Sequence, residues 1–175
     1  MPRWKNAASL ALLPLLAGCL GQTPERARIL LAQVTGDGAA TQLEVTQQLR
    51  FSPKMRGALE HGIPLRLTYR VAGCGREMLQ NVGLRYSPLN RHFELHRPGE
   101  TQARTFVRSS ALLASLDRVR LPIGEYFAPG CIGEVAVGLD LTSLPTPLRF
   151  PAFLRPGDWR MVSPPTAWST SPPRA

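Results

Sequence analysis

Leu65-Arg66-Leu67-Thr68-Tyr69-Arg70-Val71 sets apolar and polar side chains in strict alternation. Successive side chains of a strand point to opposite faces, so this stretch predicts a strand with Leu65, Leu67, Tyr69 and Val71 on one buried face. The same period recurs in Leu43, Val45, Leu49 and Phe51, in Val82, Leu84 and Tyr86, in Phe93 and Leu95, and in Val135, Val137, Leu139 and Leu141. Residues 29–34 and 105–108 add to these, for about seven strands in all. The connections Gly36-Asp37-Gly38, Ser87-Pro88-Leu89-Asn90 and Pro98-Gly99 are turns, too short for crossovers, so neighbouring strands are expected to be antiparallel.

Two short helices interrupt the strands. Ser52 is a cap and Pro53 occupies the first helical position, where a missing N–H costs nothing. Met55, Ala58 and Leu59 then share a face, and Gly62 follows the end. The second helix is expected to be capped by Ser109 or Ser110, with Leu112, Leu113, Leu116 and Val119 as its stripe and Pro122 as its stop. Pro145, Pro147 and Pro151 predict an extended stretch, and residues 164–175 read as a Pro-rich disordered tail. The expected fold is mainly β, a β-rich α+β arrangement. It is a curved antiparallel sheet or sandwich with two short helices, in a single domain over residues 28–163.

The start of the chain carries an address. Arg3 and Lys5 precede an apolar run, Ala7 to Leu16, that is too short to cross a bilayer and has the shape of a signal peptide. The run closes on Leu16-Ala17-Gly18-Cys19, a lipobox. The reading is a bacterial lipoprotein in which residues 1–18 are removed, Cys19 carries the acyl chains and residues 19–27 form a tether. Multiple acyl chains anchor stably. Leu20 stands where an Asp would favour retention at the inner membrane, so the expected location is the outer membrane, facing the periplasm.

The whole chain has a formal charge of +9, from 21 basic and 12 acidic residues. Export turns that excess away from nucleic acid and towards phospholipid head groups and glycans. Two cysteines remain after Cys19. Cys74 and Cys131, each beside glycine at a turn, form an even pair in an oxidising compartment and are expected to be a disulfide, with two free structural thiols as the alternative.

Several runs resemble a family of exported proteobacterial proteins, the domain of unknown function DUF4390. They are residues 58–65, 84–93, 116–122, 124–126 and 135–145, then Pro151-Ala152-Phe153-Leu154 and Asp158-Trp159. The resemblance covers about residues 28–168. It implies an accessory role in envelope sensing, because genes of the family often stand beside a membrane sensor histidine kinase. It supplies no catalytic residues. The chain departs from the pattern in a short Gly73–Gln80 segment, and in Cys74 and Cys131, which the pattern lacks.

Candidate chemistry is sparse. His92, Glu94 and His96 share one strand face at a spacing of about 7 Å between neighbours, which lets two but not three reach one ion, so no metal site or cofactor is expected. No Gly-x-Ser-x-Gly is present, and no catalytic residue is assigned. Arg50, Arg66, Arg70, Arg85 and Arg104 alternate with apolar positions and, on neighbouring strands, would form an anion-binding face. Asp158-Trp159 is read as a turn and a core plug, and Trp168, in the tail, as an exposed contact. The expected function is therefore a non-enzymatic accessory or sensory partner of an envelope protein. The alternative is a carrier or binder of an anionic phospholipid or glycan, with an apolar cavity between sheet and helices.

Overall fold

The computed structural model describes residues 26–154 and 156–170. The expected signal peptide, Cys19 and the part of the expected tether up to residue 25 lie outside the described residues. Nine strands follow one another as β1 (Ala27–Thr35), β2 (Gln42–Leu49), β3 (Leu65–Gly73), β4 (Arg76–Ser87), β5 (His92–His96), β6 (Arg104–Phe106), β7 (Arg118–Pro122), β8 (Ile132–Leu139) and β9 (Thr166–Ser169). The helices are α1 (Pro53–Glu60), α2 (Ser109–Ala114), α3 (Thr146–Leu154) and α4 (Pro156–Trp159). All strand pairings within the sheets are antiparallel. One sheet has the order β1-β2-β7 and the other β6-β5-β4-β3-β8-β9, the second curled into a half-barrel.

The alternating residues behave as their period requires. Leu65, Leu67, Tyr69 and Val71 of β3 are buried, as are Leu43 and Val45 of β2, Val82 and Leu84 of β4, and Val135, Val137 and Leu139 of β8. They fill the space between the two sheets in one continuous core. Ser52 caps α1, its Oγ accepting from Met55 N at 3.0 Å. Met55, Ala58 and Leu59 turn inward. A two-residue turn, Cys74-Gly75, joins β3 to β4 with φ of 49° and 72°, the left-handed values that match the twist of a tight hairpin.

Three expectations are corrected. The second helix stops at Ala114, and residues 118–122 form a strand. Val119 fits a helical stripe with Leu112, Leu113 and Leu116, but Val119 and Leu121 also alternate with Arg118 and Arg120, and pairing with β2 places them opposite Val45 and Leu43 in the core. Neither serine caps α2: Arg108 holds the cap position without a side-chain bond, and Ser109 Oγ donates to Glu60 instead. The proline-rich stretch is not extended but helical, as α3 and α4. Pro147 lies in the first turn of α3, where it forfeits no helical bond, and Leu148 N and Arg149 N both return to Pro145 O.

A further correction concerns the tail. Residues 166–169 are not disordered: they form β9 on the edge of β8, with Gly133 opposite Trp168. Trp168 is a core residue, 3% exposed, and not an exposed contact. Two glycines make this possible. A Cβ on Gly73 or Gly133 would meet the indole at 2.9 Å or 2.6 Å, so only bare backbone leaves room for it. Trp159 is buried as well, in line with its reading as a plug.

Candidate functional site

Cys74 and Cys131 are bonded, with Cα atoms 5.9 Å apart. The bond ties the β3–β4 turn to the residue before β8. An aromatic cluster packs around it: Phe127 meets Trp168 edge-on at 4.8 Å and Tyr126 at 5.0 Å between ring centroids. Tyr126 Oη donates to Glu77 O, and Arg76 donates to Tyr126 O and lies over its ring. This end of the molecule is a closed structural joint.

The five arginines do not form one face. Arg66, Arg70 and Arg85 share the outer surface of the half-barrel, but acids are interleaved with them. Arg66 pairs with Asp140 at 3.8 Å, Arg70 with Glu77 at 3.4 Å, and Arg85 stands opposite Glu94. Arg50 lies beyond the end of β2 in the other sheet. Arg104 pairs with Leu95, whose side chain points inward, and so sits on the face opposite Arg85, bound through two contacts to Glu100. The period-two pattern placed each arginine on a strand face, but not those strands beside one another.

His92, Glu94 and His96 do share a face. Glu94 stands between the imidazoles, with His92 Nε2 at 3.3 Å and His96 Nε2 at 3.5 Å from its two oxygens. Both rings thus turn to one carboxylate. Among the described residues, no group of three or more His, Cys, Asp or Glu side chains is placed to hold a metal ion.

The place where guanidinium groups do gather was not read from the sequence. An open cleft of about 570 Å³ lies between the β5–β6 connection and β7. Arg97, Arg104, Arg118 and Arg120 line it, with Glu100 and Asp117. Arg97 donates to Ser115 O at 2.6 Å, and its buried Nε has no partner. Burial, with Arg104 and Arg120 nearby, lowers the Arg97 pKa from its ordinary value. Glu44 holds Arg118 and Arg120 at 3.3 Å and 3.2 Å. Guanidinium forks in this arrangement match a phosphate or a carboxylate. The signal was the alternation of Arg118 and Arg120 with Val119 and Leu121, obscured when the segment was taken as the end of a helix.

Behind this cleft a buried polar pair joins the sheets. Gln47 Nε2 donates to Tyr69 Oη at 2.6 Å and to Leu116 O at 2.8 Å. Burial pushes the Tyr69 hydroxyl pKa well above the usual phenol range, so this hydroxyl stays neutral. A second open cleft, about 560 Å³, lies along parts of β1 and β9, with Gln33, Thr35, Ile132 and Trp168 among its lining residues.

No family model, curated protein or solved structure matches this chain. The functional reading therefore rests on the residues themselves.

Proposed function

We propose that this protein is a lipid-anchored domain of the bacterial envelope that acts by binding, as an accessory or sensory partner of another envelope protein. The observation that carries the reading is the lipobox Leu16-Ala17-Gly18-Cys19, seven residues before Arg26. Arg26 donates to Gly157 O at 2.8 Å, and its carbonyl accepts from Arg50 N at 2.7 Å. A short tether thus runs from the proposed lipid directly into a packed body. The resemblance to DUF4390 motivates a sensor histidine kinase as the partner, and the address motivates the outer membrane.

The test is crosslinking in living cells, followed by affinity purification and mass spectrometry of the tagged protein, with a Cys19→Ser form in parallel. Recovery of one envelope protein with the anchored form alone supports the reading. Equal recovery with both forms, or none with either, overturns it.

A second reading, binding of an anionic ligand, is favoured by the cleft lined with Arg97, Arg104, Arg118 and Arg120. Apolar side chains occupy the space between the sheets. A ligand is therefore expected at the surface, held by its phosphate or carboxylate, and not as an acyl chain enclosed between the layers.

A further inference from the structure

We propose that α3 seats on the membrane surface and fixes how the domain stands on it. This rests on the anchored reading above. The helix reads Thr146-Pro147-Leu148-Arg149-Phe150-Pro151-Ala152-Phe153-Leu154, and only Ala152 is buried. Phe150, Phe153 and Leu154 are 71%, 56% and 66% exposed. Three large apolar side chains on one short helix form a patch that water disfavours and that a folded domain covers with a partner or a lipid surface.

The chain's course selects the lipid. α3 packs against α4, and Arg26 is hydrogen-bonded to Gly157 within α4. Arg26 stands seven positions after Cys19, and a fully extended chain over that interval spans at most about 25 Å. Acyl chains on Cys19 therefore hold the bilayer within that distance of the junction from which α3 emerges. The tether thus keeps the bilayer within reach of this helix.

The rest of that end is suited to the same surface. Leu89, 95% exposed, lies at the tip of the β4–β5 hairpin, which the pairing of Leu65 with Leu84 brings to the α1 end of the half-barrel. Arg50, bonded through its N–H to Arg26 O, and Lys54, in the first turn of α1, are exposed, and Arg160 is exposed just after α4. Cations at this height meet anionic head groups while Phe and Leu side chains enter the acyl boundary. The disulfide joint, at the far end of β3, points away from the bilayer.

Quenching by brominated lipid tests this. Phe153→Trp is placed in the full chain and, separately, Phe150→Trp, with Leu79→Trp on the outer sheet near the far end as the control. Each protein, purified from envelopes, is reconstituted into phosphatidylethanolamine and phosphatidylglycerol vesicles with brominated acyl chains, and the mass of Cys19 is read in the same sample. Trp159 and Trp168 are buried and common to all forms. The expected result is an acylated Cys19, loss of the added emission at 153 and 150, and none at 79. An acylated Cys19 with all three indoles unquenched, or quenched alike, overturns the seating of α3 and leaves the anchor standing. An unmodified Cys19 overturns the anchor and this inference with it. Covalent capture of α3 by a second protein or a second copy, without quenching, also overturns it.

Discussion

Replacing Trp168 with alanine tests whether the last strand belongs to the core. A buried tryptophan takes roughly 200 Å² out of water, worth about 5 kcal/mol at about 25 cal/mol per Å², and a realistic unfolded chain reduces that figure. Loss of the edge-on contact with Phe127, 4.8 Å between centroids, adds about 1 kcal/mol. One term runs the other way. The indole Nε1 is buried without a partner, and removing it relieves about 1–3 kcal/mol. The balance is a loss of about 3–4 kcal/mol, within the range for large-to-small core changes. The assay is urea unfolding of the oxidised protein followed by far-ultraviolet circular dichroism, which does not depend on the lost fluorophore. Trp168→Phe keeps an aromatic ring and drops the unpaired donor, and is expected to lose less than half as much. Gly133→Ala, whose Cβ would strike Ala72 O and the indole, is expected to be as damaging as Trp168→Ala. A loss below about 1 kcal/mol for Trp168→Ala, with an unchanged denaturant slope, would refute the argument that β9 is part of the cooperative fold.

Three further outcomes are expected. Cys74→Ser with Cys131→Ser should cost about 4 kcal/mol, the chain-entropy value for a loop of 57 residues, read as a lower urea midpoint that added reductant no longer shifts. The raised Tyr69 pKa means that the folded state keeps a proton the unfolded state gives up above about pH 10. Stability should hold below that pH and fall above it by about 1.4 kcal/mol per pH unit, and Tyr69→Phe should remove that slope. Inorganic phosphate should shift the NMR signals of the residues lining the arginine cleft, and Arg118→Ser with Arg120→Ser should weaken that response at least about tenfold, since each charged hydrogen bond is worth about 1.5–3 kcal/mol. An unchanged phosphate titration would exclude the cleft as the anion site.

The strands facing the core were legible because their period is two and their turns are short: Leu65 to Val71 needs no tertiary information. The capped start of α1 was legible for the same local reason, through Ser52 and Pro53. What escaped reading depends on neighbours remote in sequence. Val119 extends the helical stripe of Leu112, Leu113 and Leu116 and also alternates with Arg118 and Arg120 as a strand residue, and β2 decides between the two by offering Leu43 and Val45. Trp168 follows Pro164-Pro165 in a polar stretch, and its burial depends on Gly73 and Gly133, far away in the chain. Pro145, Pro147 and Pro151 read as breakers: Pro147 is tolerated because it falls in the first turn of α3, visible only once that turn is located, and Pro151 lies inside the helix against proline's ordinary preference. The arginine face failed for a related reason: alternation gives the side of a strand on which a residue lies, but not which strand comes next, so Arg50 and Arg104 were grouped with residues they never approach. Arg97, in an irregular connection, offered no period at all.

The free edges of β1 and β9 lie side by side, with Thr166 Oγ1 donating to Ile29 O at 3.4 Å. The first and last described strands thus meet at Ile29 and Thr166. A chain made from its N-terminus has β1 early and must make the seven strands between before β9 exists to meet it. Cys131 likewise arrives long after Cys74, so oxidation cannot staple the β3–β4 turn until most of the sheet has emerged. Closure of the β1–β9 contact therefore comes only after every other described strand has been made.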